Sequence, residues 1–331
     1  MIRDMSGPEL TIRRATPDDR AAVVELCRVS LGWSEGDLDE AFFSWKHDQN
    51  PFGVSPAWIA QAPGGELVGM RVFLRWGFVE GDGERLLGVR AVDTVTHPEW
   101  QGKGIFTRLT LGALPELRTD GVDFVFNTPN DKSRPGYLKM GWSLVGRVPV
   151  SIRVGGVGAV RRLAGAKAAA ALWSEPSAVG VDAAAAFDDV DQTERLLRLS
   201  SHPGAISTDR TVDFLKWRYR FEPLHYRVLP LGDSLAEGAL VFRVRRRGTA
   251  LEVTVCEVLA PSRRRLAPAF RELLRSTGAD FLLVGGHPSF LNSGCVPVPR
   301  IGPALTWRPI NRLGAPGLGD LALTMGDLEL F

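Results

Sequence analysis

The chain has 331 residues, 44% of them apolar, which is enough for two domains with separate cores. With 40 Lys and Arg against 38 Asp and Glu, no overall field selects nucleic acid or an anionic membrane, and the expected partner is small or neutral. No window nears the roughly 18–20 apolar residues of a membrane span, and MIRDMSGPEL lacks the basic and apolar runs of a signal peptide, so a soluble, cytoplasmic protein is expected.

The first half opens with the alternating strand LTIRRA and then TPDDRAAVVELCRVSL, a helix started by Thr16, Pro17 and Asp19 in a capping-box pattern. A loop rich in acids and tryptophan spans residues 31–50. PAWIAQA and ELVGMRVFLRWGFVEG alternate on either side of Gly64-Gly65 and form a hairpin candidate. Next come RLLGVRAVDTVTHP as a strand, GIFTRLTLGALPEL as a helix, VDFVFNTPN as a strand, SRPGYLKMGW as a short helix and SLVGRVPVSIRV as a closing strand. This series predicts an α/β (α+β) fold, a mixed sheet with helices on its faces. Cys27, Cys256 and Cys295 lack the paired spacing of a zinc site and read as reduced structural thiols, so no metal is expected.

Residues 155–186 turn to alanine and glycine, which predicts a linker between a domain over 1–154 and another over 187–331. The two halves repeat each other. Phe42-Phe43-Ser44-Trp45-Lys46 is answered by Phe214-Leu215-Lys216-Trp217-Arg218, Gly69-Met70-Arg71-Val72 by Gly238-Ala239-Leu240-Val241, and GVDFVFNTPN by GADFLLVGGHP. Only the first half has the turn QGKG; the second reads APSRRRLAPAF there. A shared fold without a shared chemistry is expected. Its basic run SRRRLAP reads as an exposed helix face.

In the first half, Gln101, Gly102, Lys103 and Gly104 stand between a strand end and a helix start. A helix N-terminus has unpaired N–H groups and partial positive charge, and glycines let a phosphate approach closely. A tight strand-to-helix turn gives the same GxG. The spacing is neither a Walker loop nor a dinucleotide fingerprint.

Gln101-x-x-Gly104-x-Phe106, followed by Asn130, Ser133, Tyr137 and Gly141-Trp142, resembles the two signatures of the GNAT superfamily of acyl-CoA-dependent N-acyltransferases. The likeness is strong over about residues 10–154. The tandem arrangement resembles the two-copy members, including the enhanced-intracellular-survival acetyltransferases. One departure is Phe106, where the family usually has Gly or Ala.

The resemblance implies acetyl-CoA wedged between the fourth and fifth strands, which splay near positions 95 and 127, with its pyrophosphate on residues 101–106, Ile105 included. Val95 and Thr96 would run beside the thioester, where an N–H stabilises the oxyanion. Tyr137 would protonate the departing thiolate, and Asn130 and Ser133 would contact the cofactor arm or orient Tyr137. Asp93, two residues before Val95 and on the same strand face, is the first candidate base, followed by Glu99 and His97; the carboxylate of Phe331 is a further one. Trp33, Glu35, Asp37, Asp39, Trp45 and His47 would meet an acceptor, a small-molecule primary amine of cationic or amino-sugar type, although Trp45 recurs as Trp217 and so also reads as core. The competing readings are a GNAT-fold protein that binds acyl-CoA without turnover, and an acyltransferase with another donor or a protein acceptor. Oligomeric state stays open.

Overall fold

The computed structural model describes residues 9–33, 37–81, 83–166, 169–200, 204–286, 290–299, 301–312 and 314–328. Its strands are β1 (Thr11–Arg14), β2 (Ala57–Gln61), β3 (Leu67–Val79), β4 (Arg85–Thr96), β5 (Phe124–Asn127), β6 (Ser143–Arg147), β7 (Val150–Val154), β8 (Val181–Asp182), β9 (Ile206–Thr208), β10 (Arg227–Pro230), β11 (Ala239–Arg247), β12 (Ala250–Leu259), β13 (Phe281–Gly285), β14 (Val296–Pro297), β15 (Ala304–Pro309) and β16 (Leu321–Ala322). The helices are α1 (Arg20–Leu31), α2 (Asp37–His47), α3 (Ile105–Thr119), α4 (Arg134–Lys139), α5 (Val157–Gly165), α6 (Ala183–Ala186), α7 (Val190–Leu199), α8 (Val212–Tyr219), α9 (Leu266–Thr277) and α10 (Met325–Leu328).

The chain divides into two compact units, one of residues 1–78, 86–145 and 305–315, the other of 79–85, 146–304 and 316–331. In the first, strands run in the order β1-β2-β3-β4-β5-β15-β6. The hairpin forms as the Gly64-Gly65 turn predicts, with Ala57 opposite Val72 and Gln61 opposite Leu67. Asp19 closes the capping box through the Thr16 N–H at 2.8 Å and also accepts from Arg13, which fixes the 3-10 turn Pro17–Asp19 that leads into α1. Ile105, Leu109, Ala113 and Leu117, spaced at i,i+4 on α3, bury against Ala60, Phe73, Val89, Ala91 and Val125 of the sheet.

In the second sheet the order is β8-β10-β11-β12-β13-β7-β14, which matches the seven-strand main path of the first; the first also has β9 and β16 off that path. Leu266, Phe270 and Leu273 of α9 occupy the place of the α3 stripe, against Phe242, Val253 and Leu282. Trp45 and Trp217 are both buried, as a core residue of a shared fold should be.

The contiguous division expected at 154 differs from this in a specific way. SLVGRVPVSIRV is two strands: β6 stays in the first sheet, whereas β7 pairs antiparallel with β13 in the second. In return β15, from the far end of the chain, pairs antiparallel with β5. Each half therefore gives its last long strand to the other sheet. The stretch 155–186 is not a plain linker either, since it contains α5, β8 and α6, and β8 pairs with β10. Alanine-rich composition hid this because small residues also suit close packing; Ala183 is fully buried.

Candidate active site

Gly102 and Gly104 both adopt φ of +75°, a left-handed conformation that a Cβ disfavours, and no atom lies within 4 Å of where either Cβ would be. Gly104 is the N-cap of α3. The first bond of the helical ladder runs from the Arg108 N–H to the Gly104 carbonyl at 3.0 Å, which leaves the N–H groups of Ile105, Phe106 and Thr107 outside it. The turn is therefore both readings at once: a tight strand-to-helix connection, and an open array of donors suited to an anion. Lys103 stands on its rim with Nζ 4.2 Å from the centre of the Trp100 ring. Gln101 ends the short 3-10 turn before it.

β4 and β5 pair in parallel only from Gly88 opposite Phe124 to Arg90 opposite Phe126. Beyond Arg90 the β5-facing edge of β4 has no partner in β5, while its other edge stays paired, with the His97 N–H donating to the Val68 carbonyl at 2.9 Å. Val95 is buried and Thr96 half-buried along this opened stretch. Asp93 sits in it at φ +42°, a kink in the strand that a side chain rarely adopts.

That kink turns the Asp93 carboxylate onto α2. Lys46 donates to its oxygens at 2.8 and 3.0 Å, and Nε2 of His47 lies 2.6 Å from Oδ2. Burial opposes ionisation of Asp93, but Lys46 and then His47 prevail and hold its carboxyl well below the usual range. A carboxylate so engaged is a poor proton acceptor, so Asp93 is a counter-ion here and not the free base its strand position suggested. Burial pushes the His47 imidazole below its usual value, against the pull of Asp93, and Nδ1 has no hydrogen-bond partner.

On the α1 and α2 side of this sheet is a cavity of about 600 Å³ with Thr16, Phe43, His47, Ser55, Met70 and Val72 in its wall. Of the expected acceptor residues, His47 lines it while Trp45 is core, 2% exposed. Trp33 packs edge-on to Phe43. The segment from residue 37 is helix and not loop. Glu35, the Asp37 side chain and Phe331 lie outside the described residues. His97 caps the 3-10 turn, accepting from the Glu99 N–H at 3.4 Å, and the Glu99 side chain is exposed. That is a local structural role for the His97 side chain.

Tyr137, on α4, is 3% exposed and stands edge-on to Phe106 and Trp142. Phe106, the residue that departs from the family pattern, thus helps to hold Tyr137. Asn130 accepts from the N–H of Ser133 at 2.9 Å and from its hydroxyl at 3.0 Å, and so shapes the start of α4. The sequence reading missed Arg71, on β3. Its Nη2 donates to Tyr137 Oη and its Nη1 to Thr94 Oγ1. Arginine has no acceptor, so the Tyr137 oxygen accepts from it and keeps its own proton for another partner. The available signal was a charge inside the apolar run VGMRVFL.

The equivalent place in the second unit is filled. Beyond Val255 opposite Val284, β12 and β13 also part, but Gly286 there pairs with Thr324 of the same chain. Arg210 and Thr208 hold Asp327 at 2.7 and 2.6 Å and so fix that segment. The start of α9 carries Arg263–Arg265 and no left-handed glycine. Among the described residues no helix is long and apolar enough to cross a membrane, and no cluster of His, Cys, Asp and Glu could hold a metal.

Comparisons with known proteins bear on the fold. Solved structures share the fold over nearly the whole chain. A probable N-acyltransferase of unknown function from Enterococcus faecalis has a TM-score of 0.64 at 11% identity, covering 92% of this chain and 73% of that one. A GCN5-related N-acetyltransferase from Kribbella flavida gives 0.59 at 17%, over 93% and 76%. Eis1 from Mycobacterium abscessus gives 0.56 at 15%, over 91% and 74%. A search of curated proteins finds no match. The model of the acetyltransferase (GNAT) domain matches residues 11–145, the stretch that holds both the glycine turn and Tyr137, and the chain thus carries a GNAT acetyltransferase domain followed by a second sheet of like order.

Proposed function

We propose that this protein transfers an acetyl group from acetyl-CoA to a primary amine of a small molecule by direct attack, with Tyr137 as general acid. The observation that carries the reading is the opened β4 edge, flanked by the donors at residues 105–107 and by a tyrosine whose hydroxyl is fixed as a donor. Acetyl-CoA supplies the acyl thioester. The N–H groups of Gly102 to Phe106 hold its pyrophosphate, with Gln101 and Lys103 at the rim. The backbone at Val95 and Thr96 lies along the acyl group, and an N–H there takes the charge that develops on its oxygen.

The acceptor occupies the cavity beside α1 and α2. Its ammonium gives up a proton toward the His47 imidazole in the cavity wall, which burial keeps neutral and Asp93 orients through Nε2. The amine then attacks the carbonyl carbon; the C–N bond forms, the C–S bond breaks, and sulfur takes the Tyr137 proton. The second proton lost by nitrogen returns Tyr137 to its starting state through solvent, and His47 releases its own. Asn130 and Ser133 act by fixing α4.

The test is thiol release from acetyl-CoA across a panel of primary amines, with wild type and Tyr137→Phe. Turnover of the variant should drop about 100-fold or more, with acetyl-CoA affinity nearly unchanged. Equal turnover removes Tyr137 as the acid. Tight acetyl-CoA binding without thiol release for any amine favours a binding protein.

A further inference from the structure

Arg71 is 1% exposed, and no carboxylate among the described residues lies within ion-pair distance of it. Arg210 and Arg245 face carboxylates, Glu257 with Asp327 and Glu252 respectively, whereas the fully buried Arg218 of the second unit bonds the Tyr226 hydroxyl and the Gly326 carbonyl. A desolvated charge without a counter-charge is costly and is rarely retained without a use. The partners of Arg71 are neutral. They are the hydroxyls of Thr94 and Tyr137, and the rings of Phe73, Phe106 and Tyr137, whose centroids lie 5.2 to 5.5 Å from its Cζ. Its Nε is buried and unpaired.

We propose that Arg71 is the resident counter-charge for the anion formed when the C–S bond breaks, and that it acts on the sulfur across the Tyr137 hydroxyl as well as aiming that hydroxyl. This rests on the acyl-CoA reading above. As the electron pair of the C–S bond moves onto sulfur, negative charge appears on the thiolate or, once the phenol proton has moved, on Tyr137 Oη. Both positions lie within two hydrogen-bond lengths of the guanidinium. The enclosing rings keep water from screening it. The site therefore favours one negative charge shared between sulfur and Tyr137 Oη, and Arg71 is a positioning and electrostatic group whose partner exists only during turnover.

The experiment needs no acceptor. Dissociation constants of CoA and of desulfo-CoA, which lacks only the thiol, are measured by calorimetry from pH 6.5 to 9 for wild type, Arg71→Met and Arg71→Lys. An opposite charge at this range lowers an acid's pKa by about 1–3 units, and a free thiol ionises near about 8.5. In wild type, CoA should therefore gain about tenfold or more over desulfo-CoA as the pH rises; Arg71→Lys should keep part of the gain and Arg71→Met none. Methionine suits the ring cage, so Arg71→Met should melt no lower than wild type, whereas a purely structural arginine would cost stability when removed. An identical pH profile in wild type and Arg71→Met overturns the proposal while leaving the acyl-CoA reading intact. Failure of wild type to bind either compound removes both.

Discussion

Replacing Gly104 by Glu, with Gly104→Ala as reference, separates the backbone requirement from the charge at the start of α3. At φ +75° any Cβ costs about 1–2 kcal/mol of folding stability, common to both variants. No atom lies within 4 Å of the new Cβ, so neither change introduces a clash. The glutamate adds a negative charge at the N-cap of α3, where it offsets part of the backbone cost by favouring the helix dipole. Toward a bound phosphate the same charge is repulsive. Two unit charges about 5 Å apart repel by about 0.8 kcal/mol in water and about 3 kcal/mol at the effective dielectric of a protein surface. Acetyl-CoA should therefore bind Gly104→Glu about tenfold or more weakly than Gly104→Ala, by calorimetry at low salt, and the gap should narrow as ionic strength rises. The Glu variant should melt no lower than the Ala variant. Equal affinities for the two would refute the phosphate cradle, since the charge would then face nothing.

Three other outcomes follow from the geometry. Asp93→Asn should lower stability at neutral pH by about 2–4 kcal/mol in urea melts, because it removes the carboxylate charge that Lys46, 5% exposed, contacts at 2.8 Å. The native carboxyl of Asp93 is depressed, so its contribution is complete above the unfolded value of about 3.9 and lost as pH falls through the native one; the variant should lose less stability on acidification below about pH 4. His47 is depressed too, so the acid limb of kcat/KM should lie below the ordinary histidine value of about 6.5, and His47→Gln should abolish that limb along with most turnover; an unchanged profile would remove His47 as the proton acceptor. Residues 1–154 expressed alone should fold poorly, because β15 is missing; within the full chain, Trp307→Ala should cost about 3–5 kcal/mol, as Trp307 stacks on Phe124 at 3.8 Å and is buried.

Local chemistry made much of the fold legible. The capping box at Thr16, the Gly64-Gly65 hairpin and the α3 stripe are short-range patterns, and each appears where its residues require it. The glycine turn and Tyr137 were legible as motifs because backbone conformation and helix position follow from neighbours in sequence. The repeat of the two halves also survived, down to matching strand order in the two sheets.

Tertiary structure alone decided the rest, because it depends on pairings between residues far apart in the chain. Nothing in SLVGRVPVSIRV says that its halves enter different sheets; an edge strand's partner is chosen by backbone groups that every residue carries alike. Asp93 looked like a free carboxylate because its strand spacing is local, whereas Lys46 and His47 reach it from more than 40 residues away. Arg71 and Tyr137, 66 residues apart, meet only when β3 and α4 pack. The sequence determined which half has the left-handed glycine turn at a helix start, since that needs only glycine at two positions. Which charges surround Asp93 and Tyr137 was settled by folding, since electrostatics depends on distance in space and not on distance along the chain.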